Sequence, residues 1–112
     1  MPGASVIGGA AVYARCNSIP WHTVPVARMA AQLEAYVLRG QPPCSFLRAL
    51  VMNDWRNAMF CADEENMAEM LDWARFFHNE MPALTWGNRG RVERWIAHNG
   101  ASGIDCAQLV AQ

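Results

Sequence analysis

The stretch from Val26 to Val37 constrains this chain more than any other. Val26, Met29, Ala30, Leu33, Tyr36 and Val37 recur at helical spacing, and Gly40 stands where such a helix would stop. With Thr23 as a cap and Pro25 in the tolerant first turn, the spacing predicts a helix from Thr23 to Arg39. The period returns after the stiff connector Gln41-Pro42-Pro43, where Phe46, Leu47, Leu50, Val51, Ala58 and Met59 predict a second helix from about Cys44 to Cys61. A third is expected from Asp63 to before Pro82, on the stripe Met67, Met70, Leu71, Ala74 and Phe77. Asp63 is its N-cap, and Glu64 and Glu65 lie at the positive end of its dipole. Val92, Trp95 and Ile96 predict a fourth from about Asn88 to His98, with Gly100 as its stop, and residues 104–111 suit one more short turn. No segment sustains alternation at period two and no internal repeat occurs, so the expected fold is all-α, a small bundle of four to five helices.

Ahead of the first stripe the character changes. Residues 1–20 hold Gly3, Gly8, Gly9, Pro2 and Pro20, which limits Ser5 to Tyr13 to a short strand with a glycine break and predicts an extended N-terminal arm. The expected organisation is therefore an arm over 1–20 and one helical domain over 21–112. A chain of 112 residues suits one core and is too short for two with a linker. Apolar residues make up 53% against 17% charged, a composition that excludes a wholly disordered chain. The formal net charge of -1 argues against direct nucleic-acid binding by the whole surface, and no apolar run is long enough for a membrane span. All nine cations are arginine, whose planar fork suits carboxylates, phosphates and aromatic faces.

Catalytic and metal chemistry find no purchase in the spacing. Cys16, Cys44, Cys61 and Cys106 form no C-x-x-C pair, and His22, His78 and His98 have no ligand spacing with them or with the acids. G-x-S-x-G, P-loop and G-x-G-x-x-G patterns are absent, so no nucleophile is nominated and neither a metal nor a cofactor is expected. A reduced, cytoplasmic setting is the simpler reading of the cysteines.

Three polar groupings are candidates for binding. On a continuous second helix, Phe46, Leu50, Asn53 and Asn57 share one stripe and Leu47, Val51, Asp54 and Ala58 another, which sets amides and a carboxylate among large apolar groups. Unpaired burial would cost roughly 1–3 kcal/mol for each, so they need backbone, arginine, subunit or ligand partners; a helix break at Asn53 is the bland alternative. Asp63 and Asn66 are spaced for local capping, yet if Asn66 faces Asn53 and Asp54 the corner becomes a small polar pocket that Arg48 or Arg56 completes. Finally, Trp86-Gly87-Asn88-Arg89-Gly90-Arg91-Val92-Glu93-Arg94-Trp95 sets three arginines between two tryptophans at a helix start, a place able to hold a phosphate or carboxylate. Its bland reading is a solvated arginine face with tryptophan anchors in the core.

These residues also carry a family resemblance. Ile19-Pro20-x-His22-Thr23, Tyr36-Val37-x-x-Gly40-x-Pro42-Pro43, Phe46-Leu47-x-Ala49, Asn53-Asp54, Ala58, Ala62-Asp63-x-x-Asn66, Trp86-Gly87 and Trp95-Ile96 resemble a group of small proteins encoded by bacteriophages and prophages. The pattern covers about residues 19–96. The chain departs from it at Cys44, where glycine is usual, at Leu50-Val51, at Trp55 and at Asn88. The resemblance implies a cytoplasmic, phage-encoded accessory protein of the kind that blocks a host function, as anti-CRISPR proteins and sponges for defence nucleotides do. The first expectation is a non-enzymatic inhibitor that docks on a host defence protein. The second is an oligomer that sequesters a nucleotide-like ligand, and the third a structural or regulatory phage protein that dimerises through its helices. The residues expected to bind ligand or partner are Arg48, Asn53, Asp54, Asn57, Asp63, Asn66, Trp86, Arg89, Arg91 and Arg94.

Overall fold

A computed structural model describes residues 12–103. Among them every regular element is helical. Residues 12–16 form α1, followed by α2 (Ala30–Arg39), α3 (Ser45–Val51), α4 (Trp55–Cys61), α5 (Glu64–Ala68), α6 (Met70–Glu80) and α7 (Arg89–Ala97), joined in part by short 3-10 turns. The all-α expectation holds. Five of these helices have seven residues or more, and the segmentation is finer than the apolar stripes implied.

The first difference lies ahead of α2. The helix predicted from Thr23 begins at Ala30, because Pro25 forces the residue before it into extended backbone, and Val24 sits at φ −56, ψ 129. Thr23 is no cap: its hydroxyl donates to the Pro20 carbonyl at 2.7 Å and closes the tight turn Trp21–Thr23. Val24 and Val26 still reach the core from this irregular stretch. The described end of the expected arm is likewise packed on the chain, with Cys16 and Ile19 buried and Arg15 donating to the Asn79 carbonyl of α6 at 3.1 Å. The rest of the arm, and the short turn expected at 104–111, lie outside the described residues.

The second difference is the division of the Cys44–Cys61 stripe into α3 and α4. Asn53 adopts φ +61, a left-handed conformation that asparagine tolerates, and Asp54 then caps α4 by accepting the Asn57 N–H at 3.2 Å. The Val51 carbonyl freed at the end of α3 accepts the Gly87 N–H at 2.8 Å, which docks the loop before α7 onto this corner. The third predicted helix is also divided: the Glu69 N–H turns back to the Asn66 carbonyl at 3.1 Å, ending α5 before α6 begins. The fourth agrees closely, with Asn88 capping through the Arg91 N–H at 2.9 Å and His98 closing it.

Packing centres on α2, α3, α6 and α7. Leu33, Tyr36 and Val37 of α2 share one buried core with Leu47, Leu50 and Val51 of α3, while Trp73, Phe76 and Phe77 of α6 supply the aromatic mass. Phe46 lies edge-on to Trp73 at 5.7 Å and Trp86 edge-on to Phe77 at 5.4 Å, the geometry that aromatic quadrupoles favour. The C-terminal end of α2 is tied to α7 by the Trp95 indole, whose N–H lies 3.2 Å from both the Tyr36 and Val37 carbonyls. Gly40 (φ +69) and Gly100 (φ +63) make the accompanying backbone approach. A Cβ on Gly40 would stand 2.6 Å from the Gly100 nitrogen, too close for any side chain.

Candidate functional site

The ten candidate residues fall into three places, and six of them, Asn53, Asp54, Asp63, Asn66, Trp86 and Arg91, use a polar side-chain atom to hold the fold itself. The helix break scatters the supposed amide stripe. Asn53, at the turn, accepts the Trp55 indole N–H on its Oδ1 at 2.6 Å, which orients that ring edge-on to Phe77. Asp54 and Asn57 are exposed at the start of α4, and Arg48 is exposed on α3.

Asn66 does not complete a polar pocket with Asn53 and Asp54. Only 3% exposed, it accepts the buried Trp73 indole N–H at 3.2 Å, a structural pairing inside the core. Asp63 behaves as its capping spacing suggests, accepting the Asn66 N–H at 2.8 Å. Arg28, from the turn before α2, bonds Asp63 and reaches Glu65 at 2.9 Å. The Asn66 backbone N–H, with Arg28 beside it, holds the Asp63 carboxyl below the usual carboxylate range. On the neighbouring turn the Glu69 carboxyl is raised, chiefly by its hydrogen bond with Asp72 and with burial as a smaller cause.

The third place is the segment before and into α7. Trp86 is half-buried and donates its indole N–H to the Met81 carbonyl at 3.3 Å. Arg91 folds back, one guanidinium nitrogen lying 3.1 Å from the Ala83 carbonyl and 3.3 Å from that of Trp86. That bridge fixes the 3-10 turn Ala83–Thr85, from which Leu84 projects 54% exposed. Arg89 and Arg94 are exposed on α7, whose one acid is Glu93. The arginine segment is therefore part scaffold and part surface: Arg91 holds the turn, and Arg89 and Arg94 face solvent.

Two contributors were not chosen from the sequence. Phe60 is 79% exposed on α4, a helix that buries only Ala58. With Asp54, Arg56 and Asn57 it lines an open hollow of about 350 Å³. Leu84 lies two residues ahead of the Trp86–Trp95 segment that the arginines single out. The usable signal for Phe60 was the break at Asn53-Asp54, since a helix restarted there is rotated off the stripe of α3.

Among the described residues no group of three or more His, Cys, Asp or Glu side chains is placed to hold a metal ion, and no helix is long and apolar enough to cross a membrane. Comparison with known proteins gives no match to a family model, a curated protein or a solved structure.

Proposed function

We propose that this chain is a phage-encoded accessory protein that acts in the bacterial cytoplasm as a non-enzymatic inhibitor, docking on a host defence protein. The observation that supports docking is the turn held by Arg91, which presents Leu84 on fixed backbone beside a helix with exposed Arg89 and Arg94. An apolar side chain accompanied by guanidinium groups on rigid elements has the composition of an interface anchor. Because α7 carries three arginines against Glu93 alone, this edge repels a copy of itself and suits an acidic surface on a different protein. Sequestration of a nucleotide is supported less well, since the side-chain oxygens of Asn53 and Asn66 already accept indole N–H groups.

The test is phage plating on bacteria that carry an active defence system, with and without the protein. Expression restores plating, and Arg89→Glu with Arg94→Glu abolishes the effect while leaving the helical circular dichroism intact. No restoration across a panel of defence systems, or full activity of the doubly reversed variant, contradicts the reading.

A further inference from the structure

The arginine edge leaves a second exposed face, around α4, without an occupant. That face has three features which belong together. Phe60 projects almost free of the surface, 79% exposed, with Met59 47% exposed beside it in sequence. Next to Phe60 lies the open hollow of about 350 Å³ whose remaining walls are Asp54, Arg56 and Asn57. The two charges on its rim are opposite. Asp54 accepts only the cap N–H of its own helix, and Arg56 has no carboxylate partner among the described residues.

We infer that the α4 face pairs with a second copy of this chain across a two-fold axis, Phe60 of each protomer entering the hollow of its partner and each Arg56 meeting the partner's Asp54. A two-fold interface must be self-complementary, each patch serving as its own counterpart. Projection and hollow side by side, with one positive and one negative group at the rim, satisfy that condition. The α7 edge, nearly all of one sign, does not. Charge pattern thus assigns the mixed-sign face to a like protomer and the single-sign edge to a foreign acidic protein, so the pairing stands independently of the proposed host target. A face built around one helix of seven residues falls at the small end of specific interfaces, so the dimer is concentration-dependent, with Kd on the order of micromolar.

Sedimentation velocity of the full chain at concentrations up to about 100 µM tests this. Wild type sediments increasingly as a dimer, twice the 12.5 kDa chain mass. Phe60→Asp, which alters a solvated side chain and leaves the core untouched, is a monomer throughout. Arg56→Asp sets carboxylates opposite each other and weakens pairing at least about tenfold. Mixing Arg56→Asp with Asp54→Lys restores it, because the mixed dimer alone has opposite charges at both rim positions. The cap lost in Asp54→Lys is controlled by Asp54→Asn, which keeps an N-cap without the charge. A wild-type chain that remains monomeric overturns the proposal. So does a dimer that survives both Phe60→Asp and Arg56→Asp, which would place the interface elsewhere, and so does failure of the mixture to pair while each variant remains folded.

Discussion

Single side chains decide much of what this fold can do, and Asn66 is the clearest case. A polar residue 3% exposed is tolerable because its amide oxygen accepts the Trp73 indole N–H. Asn66→Ala leaves that buried donor without a partner and is expected to destabilise the fold by about 1–3 kcal/mol in urea titration. An unchanged midpoint would mean that the Trp73 N–H finds another acceptor. Cys16 offers a contrast in reactivity: burial pushes its thiol up to about 11, so at neutral pH it stays protonated and shielded, whereas Cys61 is exposed. Labelling with a thiol reagent is expected to modify Cys61 rapidly and Cys16 only on unfolding. The same shift has a consequence for alkaline stability. The contribution of a raised thiol is fully present below the ordinary value near 9.0 and is lost as pH rises towards about 11.

At the scale of elements, stability depends on where helices stop. Gly40→Ala places a Cβ in left-handed backbone and 2.6 Å from the Gly100 nitrogen, so the end of α2 and the turn after α7 must separate. A loss of at least about 1–2 kcal/mol is expected, with hydrogen exchange quickening at the end of α2 first. The start of α5 responds to acid. Asp63 is held below its usual range by the Asn66 N–H and Arg28, so its stabilising effect is present above the ordinary carboxylate value and lost as pH falls through the depressed one. Asp63→Asn, which keeps a cap and loses the charge, should be less stable than wild type at neutral pH, with the gap closing below about pH 4. A gap that persists in acid would place the effect in packing rather than charge.

These elements also mark how far the residues alone could be read. The stripes of α2 and α7 were legible because apolar spacing and stop signals agree there: Gly40 closes α2, and Asn88 caps α7. That of α6 was not: Met67 and Leu71 of the expected stripe are exposed, and the break at Glu69 turns Trp73, Phe76 and Phe77 inward instead. The stripe spanning Cys44 to Cys61 misled because periodicity continues across Asn53-Asp54, although both residues are suited to ending one helix and starting another. Once that break is in place the amide stripe disappears, and Phe60 turns outward. Capping by Asp63 was legible from local spacing. The pairing of Asn66 with Trp73 and the hold of Arg91 on Ala83 and Trp86 were not, because a side chain's partner across a turn or a helix packing depends on backbone direction that spacing does not encode.

For the whole molecule, two unlike faces on one helical core give the functional account its shape. The α4 face, with mixed charge and a projecting ring, suits self-pairing; the α7 edge, with Leu84, Arg89 and Arg94, suits an acidic partner. A dimer would then present two arginine edges, and avidity would strengthen binding to a multimeric target without new contacts. Phe60→Asp is accordingly expected to weaken inhibition of such a target while sparing single-site binding, whereas Arg89→Glu with Arg94→Glu removes both. Native mass spectrometry of the tagged protein, recovered from bacteria with an active defence system, tests the central claim of action by protein contact most directly. The account predicts a host protein in fixed ratio with the chain, retained by Phe60→Asp and lost on reversal of Arg89 and Arg94. A nucleotide-sized adduct in fixed ratio, with no protein companion, would contradict it and return attention to the polar groups around Asp54 and Asn57.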